Sequence, residues 1–555
     1  MRYSPLLPML AALAPLATHA AAAATAPNAG TILQQVQPSA PLPLESVQPG
    51  LTIERAAETH MPSGPAFAVK SIRISGNTLF DTATLHALIS GAEGHTLTLG
   101  QLGEWAARIT EHYRGHDYPL AQAVIPAQTI ADGMVEIQVI EARYGRISID
   151  NRSRVDERLV RSTLPLRPDA AISQRELDHA LLLLSDIPGV AVDATLAAGR
   201  LPGTSDLDVE VMSGAAVAGS VTLDGYGNPY TGRARLGGSV ALLNPLGNGD
   251  VLSLDALSSG GDLNYGRLAY ESLLNGRGTH LGASFSALHY DLGGSLKPLD
   301  AHGTAQVESA WIRQPLARSQ DVNLYGQFQY NRLQLHDRID AGGIRADRHL
   351  QNWTAALSGD WRDGLLSSGV NAWSLGATRG NVAFDDSAAQ LIDAASAGTQ
   401  GRYWRWNAAF VRLQRLNAEN ALYLAISGQW ANGNLDPSDK MISGGSQAVR
   451  AYDNGVVSGD TGYFATAEFR HELGSWPGGH WQAVAFVDRA RISINRTEWT
   501  PAENGVGMTG AGLGLNWQSR QWSGRIHAAT PLGATPAVVG EARSVRAWLE
   551  VRRSF

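Results

Sequence analysis

The sequence predicts an α+β pair of small modules followed by an all-β transmembrane barrel of around 16 antiparallel strands. Three observations carry that prediction. The chain opens with an export-type leader, helical periodicity is confined to the stretch before residue 214, and from there to residue 555 apolar side chains alternate with small or polar ones in short segments. With 44% hydrophobic and 17% charged residues and a net charge of -7, the chain has material for a core and no basic excess for nucleic acid. Glycine supplies 60 of 555 residues, above a usual share of about 7%, and 14 Trp with 15 Tyr outnumber 10 Phe, an amphipathic aromatic set foreign to a cytosolic enzyme. The absence of cysteine removes disulfides, thiol nucleophiles and cysteine-held metals together.

Residues 1–26 begin with Arg2, continue through an apolar run from Leu6 to Leu16, and end in the small triplet Ala24-Thr25-Ala26. This is the pattern of a cleaved secretory signal peptide, with cleavage after Ala20 or Ala26 both open. A membrane anchor is the alternative, but the apolar core is short and dissolves into an alanine tract. Beyond Ala26 no stretch of 18 uncharged, predominantly apolar residues occurs, so a membrane-inserted mature chain has to enter as a closed barrel. Residues 27–66 are rich in Pro, Ala, Gln and Ser and read as a linker with one short helix, Thr31 to Val36, ahead of Pro38, Pro41 and Pro43.

The first module is expected over residues 67–144. Lys70 to Ile74 predicts a strand with Lys70, Ile72 and Ile74 on one face, ended by Gly76-Asn77. A helix follows from Asp81 with Leu85, Leu88 and Ile89 on one side. A second is capped by Thr98 and carries Leu102, Trp105, Ala106, Ile109 and Tyr113 on one face, with Gly115 as its stop. Ala121 to Ile125 and Met134 to Val139 predict a hairpin turned at Asp132-Gly133 that covers that helix. The second module, residues 145–213, repeats the pattern: a strand over Arg146 to Ile149, a capping box at Ser173 and Glu176, a helix with Leu177, Ala180, Leu181 and Leu184 inward, and a closing strand bearing Leu207, Val209 and Val211. One larger α/β domain is the competing organisation.

Residues 214–555 lose helical periodicity. In Val322 to Asn331, Val322, Leu324, Gly326, Phe328 and Tyr330 oppose Asn323, Tyr325, Gln327, Gln329 and Asn331, one face suited to lipid and the other to water. Leu422, Leu424, Ile426 and Trp430 repeat this parity, as do Ala234, Leu236, Val240 and Leu242. A soluble β-sandwich also alternates. The leader, the small polar residues of the inward set, Trp and Tyr near strand ends, and a last strand ending in Phe555 favour the barrel, with Val545, Ala547, Leu549, Val551 and Phe555 on the lipid side. At about 9–11 residues per strand plus turns and outer loops, the span accommodates about 16 strands.

Several segments carry a family resemblance. Thr231-Gly232-Arg233 with the turn Asn244-Pro245-Leu246-Gly247-Asn248-Gly249-Asp250, the segment Gly444-Gly445-Ser446-Gln447-Ala448-Val449-Arg450-Ala451-Tyr452, and Phe486-Val487-Asp488 follow one another along the barrel region. Together with the leader, linker helix and two modules, they make the chain resemble the outer-membrane transporters of two-partner secretion, the TpsB family of haemolysin/filamentous-haemagglutinin secretor type, within the POTRA-plus-barrel superfamily. The resemblance spans essentially the whole mature chain. It implies that the modules at 67–144 and 145–213 are POTRA 1 and POTRA 2, that the short helix is a plug in the resting pore, and that a long loop folds into the lumen with its tip at Arg450 and Tyr452. It further implies a contact from Arg450 to Asp488, which parity places on the lumen side with Gln482, Val484 and Phe486. A guanidinium suits that contact because it makes two parallel hydrogen bonds to a carboxylate; the alternative is a solvated outer loop. Ala451 stands where the family's tip has glycine, and alanine would clash if φ there were positive. Phe555 is implied as the carboxy-terminal signal for barrel assembly.

The implied function is capture of a large exoprotein by the POTRA modules in the periplasm of a Gram-negative bacterium, and its passage unfolded through the barrel to the cell surface. An insertase of the same superfamily and a passive porin are the alternatives. No catalytic, cofactor or metal site is expected, the partners being the exoprotein and outer-membrane lipid, without nucleic acid, around a monomeric chain. Neither G-x-S-x-G nor H-E-x-x-H occurs. Gly505 to Gly510 matches G-x-G-x-x-G but lacks a following helix, and is expected to be a flexible loop between strands.

Overall fold

The computed structural model describes residues 26–37, 50–53, 64–476, 478–540 and 543–555. The expected leader before Ala26, and the linker apart from residues 26–37, 50–53 and 64–66, lie outside the described residues. The linker helix, α1, spans Ala29–Val36. It starts two residues before the expected Thr31 because Asn28 and Thr31 cap it reciprocally, which draws Ala29 and Gly30 into the first turn. A four-residue strand, β1 (Gly50–Ile53), follows.

The first module holds β2 (Phe67–Val69), β3 (Ser71–Ser75), α2 (Thr82–Ile89), β4 (His95–Leu97), α3 (Leu99–Gly115), β5 (Gln122–Val124) and β6 (Met134–Ile140). Its sheet runs β3-β6-β5, parallel then antiparallel. Asp132 and Gly133 both adopt positive φ at the turn into β6. Val135, Ile137 and Val139 bury against Leu85, Ile89, Leu102, Ala106, Ile109 and Tyr113 of the two helices. Thr98 and Gln101 close a full capping box on α3. Lys70 differs from expectation: it precedes β3 and is exposed, because Val69 and Ser71 bracket it between two short strands. The β2–β4 ribbon was not anticipated, since three residues on each side give too short a sample for periodicity.

The second module holds β7 (Arg143–Arg152), α4 (Glu157–Thr163), α5 (Gln174–Ser185), β8 (Val190–Ala198) and β9 (Thr204–Ser213). The sheet order is β1-β8-β9-β7, so the linker strand β1 adds to it, parallel to β8. Ser173 caps α5 by accepting from Glu176 N; among the described residues only this half of the expected box is made. Besides the expected inward set, Leu182 and Leu183 are buried. Leu183 lies over Gly278, in a turn of the barrel, so the far side of the helix is covered as well.

The barrel is closed by sixteen strands in sequence order, from Val217–Asp224 to Arg546–Ser554. Neighbours are antiparallel throughout, and the first and last strands pair from Ser220↔Ser554 to Asp224↔Glu550. Leu236, Val322, Phe328, Ile426, Trp430 and Leu549 are exposed on the outer wall, while Asn323 and Gln429 of the opposite parity are buried inside. Gly505 to Gly510 is not a loop but the start of the strand Gly505–Gln518, with Val506 and Met508 packed inward. Gly510, Gly512 and Gly514 serve close approach, as Phe486 leaves no room for a Cβ at Gly512, whereas Gly505 and Gly507 face open space.

The second module meets the barrel at one rim. Asp156 N donates to Gly247 O (2.8 Å) in the turn after Arg235–Leu243, and Arg318 donates to both carboxylate oxygens of Asp186 at 2.7 and 2.8 Å. With the modules expected in the periplasm, that rim is the periplasmic one, and the long strand pair Val322–Ile339 and Ile344–Asp363 joins at the opposite rim.

Candidate functional site

Between the strands Asn420–Ala431 and Thr461–Trp476 the chain makes a long excursion into the lumen. A two-stranded ribbon, Met441–Ser443 with Val457–Gly459, brings it inward. Gly444 and Gly445, at φ +78° and +117°, turn it toward the wall, a conformation that side chains with a Cβ rarely adopt, and an added Cβ would meet Asp453 O or the Asn454 side chain at 2.6 Å.

At the tip, Arg450 is buried and multiply held. Its Nε and Nη2 donate to Asp488 Oδ2 and Oδ1 at 2.8 and 2.7 Å, and its backbone N–H donates to Asp488 Oδ2 at 3.0 Å. Nη1 donates to Glu468 Oε1 (2.7 Å) and Nη2 also to Thr466 Oγ1 (3.0 Å), while Thr466 donates onward to Asp488 Oδ1 (2.7 Å). Arg470 takes the remaining Glu468 oxygen at 2.6 Å. Two cations and two carboxylates thus neutralise one another, which offsets the desolvation of burying them. The guanidinium carbon lies 3.4 Å from the centroid of the Phe486 ring, and Arg450 O accepts from Trp548 Nε1 (2.7 Å).

Arg450 and Asp488 are therefore brought together; Tyr452 and Phe555 stand apart from the ion cluster. Tyr452 is buried among Val484, Phe486, Ala490, Ile492, Val506 and Met508, an apolar anchor beside the polar one. Ala451 does not adopt positive φ and is buried, its Cβ occupying the space over Gly510. Phe555 lies at the periplasmic end of the seam between first and last strands, where its backbone exchanges two 3.0 Å hydrogen bonds with Gly219 and its ring covers the bare Cα of that glycine.

Sequence reasoning missed Thr466, Glu468, Arg470 and Trp548, and the second tether at Asp453. Their signal is parity: Thr466, Glu468 and Arg470 alternate with Ala465, Ala467 and Phe469, as Arg546 and Trp548 do with Val545, Ala547 and Leu549. Asp453 binds Arg233 (2.6 Å) and Arg546, and Asn454 Nδ2 donates to Tyr226 O (2.8 Å). The tip thus touches both sides of the seam at the end away from Phe555.

The helix α1 sits on the neighbouring lumen wall. Ala29 N and the Tyr290 hydroxyl donate to Asp337 Oδ1 at 2.7 and 2.5 Å, and Arg348 bridges Asp337 and Asp436. At its other end Gln35 accepts from Asn228 and Arg235, and Ile32, Leu33 and Val36 pack on the apolar wall around Leu288, Leu335 and Leu350. Chambers of about 630 and 560 Å³ remain beside the tip and beside the helix, the first mainly polar and lined by Arg450, Arg470, Gln482 and Arg525, the second mixed and lined by Gln34, Asp224 and Arg552 together with Val36, Leu257 and Ile442.

The chain as a whole is similar to known proteins. Residues 203–517 match the family described as haemolysin secretion/activation protein ShlB/FhaC/HecB, and residues 67–142 match the ShlB-type POTRA domain. The heme/hemopexin transporter protein HuxB of Haemophilus influenzae is 30% identical over 74% of this chain and 73% of its own. The outer membrane transporter CdiB of Escherichia coli is 24% identical over 87% and 82%. The solved structure of Escherichia coli CdiB superposes over 100% of both chains with a TM-score of 0.72 at 20% identity, a likeness of fold. The chain accordingly belongs to the ShlB/FhaC/HecB family of haemolysin secretion/activation proteins, outer-membrane transporters with POTRA modules in the periplasm.

Proposed function

We propose that this transporter captures one exoprotein on the edges of its POTRA sheets and passes it unfolded through the lumen once α1 has left, working as a monomer in outer-membrane lipid. The observation that supports capture by strand addition is β1. It comes from outside the second module's own fold and lies in register on β8, from Gly50↔Asp193 to Ile53↔Leu196, so that edge accepts an added strand. An incoming cargo strand that takes the same edge displaces β1, and β1 is covalently continuous with the plug helix. Loading of cargo and withdrawal of the plug are thereby coupled without nucleotide. Folding of the cargo outside the cell then biases the passage.

The geometry supports a role for each of the singled-out side chains. Arg450 with Asp488 holds the loop tip against the wall, Tyr452 keys it into the apolar cluster, and Phe555 completes the seam during assembly. Because the 30%-identical relative is named a heme/hemopexin transporter, an exoprotein that handles heme or hemopexin is the first cargo to test. The test is removal of residues 67–213. Export of one cargo should stop while other outer-membrane barrels assemble normally; a general assembly defect would identify an insertase instead.

A further inference from the structure

On the outer wall near the extracellular rim, residues of one register row face outward: Glu308↔Arg332↔Gln351↔Asn381↔Arg402, all exposed. The next row toward the membrane reads Tyr330↔Trp353↔Arg379↔Trp404, and the one below it Phe328↔Ala355↔Ala377↔Trp406. Aromatic residues at this depth mark the interface between headgroups and acyl chains. Arg379 is out of place in such a row. It sits on the lipid-facing parity between two indoles, its guanidinium carbon 5.8 Å from the Trp404 ring centroid. Arg402 lies diagonally above it on the adjacent strand, within about 7–8 Å by sheet geometry. Among the described residues neither arginine has a carboxylate partner, whereas Arg405 and Arg412, farther along the Arg402 strand, pair with Asp439 and Asp363.

Directly below Arg379 the wall is recessed. A groove of about 510 Å³ is floored by Ala355 and Ala377, walled by Phe328 and Trp406, and continued toward the membrane by Leu357 and Leu375. Its walls stand three strand spacings apart, about 14 Å, room for more than one acyl chain. Apolar trough and unpaired cations are stacked in the order in which a lipid presents its chains and its phosphate.

We propose that this surface is a binding site for a phosphorylated glycolipid of the outer leaflet, of the lipid A class. The acyl chains lie in the Ala355–Ala377 trough, and a phosphate accepts hydrogen bonds from Arg379 and Arg402. Charge complementarity selects the phosphate, and guanidinium groups suit it by their fork of donors. Position selects the source, because the site opens at the rim opposite the POTRA modules, where the leaflet is glycolipid. The site lies outside the lumen and shares no residue with the loop tether.

The full chain, purified in detergent, is titrated with lipid A and bound lipid is counted by native mass spectrometry. The Arg379→Ala/Arg402→Ala variant should bind lipid A at least about tenfold more weakly. Ala377→Trp, which fills the trough and keeps both cations, should weaken it comparably, and Arg379→Lys/Arg402→Lys should retain most binding. Heat-modifiable mobility on gels verifies that each variant is a folded barrel. Unchanged binding by the double alanine variant, or equal binding of phosphate-free lipid A or of phosphatidylglycerol by the native chain, would overturn the proposal.

Discussion

A Cβ added at Gly510 would lie 2.5 Å from the Cβ of Ala451, its other neighbours being 3.4 Å away or more. The two positions share one methyl-sized space, so the glycine that the family's loop tip leads one to expect stands instead on the wall against the tip. Gly510→Ala should therefore destabilise the locked tip by about 1–3 kcal/mol through overpacking, and Ala451→Gly in the same chain should restore it. Protease resistance of the segment around Arg450 in the single and double variants reads this directly. At Arg450 itself, Arg450→Ala and Asp488→Ala each strand a buried partner and should cost about 3–5 kcal/mol of loop docking, with export impaired in both. Arg450→Lys keeps the charge but cannot reach Asp488, Glu468 and Thr466 together, so it should rescue only partly. Normal export in both alanine variants would defeat the tether.

Among elements, α1 is held at its ends by few polar contacts. Asp337→Ala removes the acceptor of the Ala29 N–H and the Tyr290 hydroxyl and leaves Arg348 with Asp436 alone. The helix should leave more often, raising single-channel conductance toward that of a chain lacking residues 27–65. The junction of the POTRA modules is governed by Glu141, between β6 and β7. Burial acts to raise its pKa, but hydrogen bonds from Thr78 and Leu79 N–H (2.7 and 2.8 Å), the Thr78 hydroxyl and Tyr113 (2.8 Å) outweigh it and hold the carboxyl below its ordinary value. A depressed carboxylate contributes stability that is present above the unfolded pKa of about 4.3 and is lost as pH falls through the lower folded value. Protection of the amides of Thr78, Leu79 and Tyr113 in the full chain, taken relative to the intrinsic exchange rate at each pH, should therefore fall below about pH 4, and Glu141→Gln should lower that protection at pH 7 and remove its acid dependence.

For the whole molecule, the loop tip is where the separate parts of the barrel meet. Asp453 ties Arg233, just ahead of the second strand, to Arg546 of the last, Trp548 donates to Arg450 O, and Gln35 of α1 packs on Gly455. Loop, seam and plug therefore share a surface, and removing one should loosen the others. Asp453→Ala should lower the temperature at which the barrel loses its compact gel mobility and raise conductance even with α1 intact; a change in neither would show that the seam holds without the tip. On the far rim, removal of Phe555 should slow assembly, visible as unfolded chain accumulating in the periplasm, because it deletes two hydrogen bonds at a closure that pairs only from Ser220 to Asp224.

Local pattern was sufficient for much of this. The strict period of two in Val322 to Asn331 predicts which side meets lipid, and Thr98 and Gly115 bound a helix, because side-chain direction and capping depend on neighbours along the chain. The same parity put Asp488 inside. It did not reveal that Gly505 to Gly510 is strand, that β1 joins the second module, or that Glu468, Thr466, Asp453 and Trp548 complete the tether. The place of β1 depends on the fold of the second module, whose sheet offers the edge of β8. The tether depends on closing the barrel: only when sixteen strands meet do residues hundreds of positions apart, Arg233 with Asp453 or Ala29 with Asp337, come within hydrogen-bonding distance. Alternation dictates the wall, and closure decides what the wall holds.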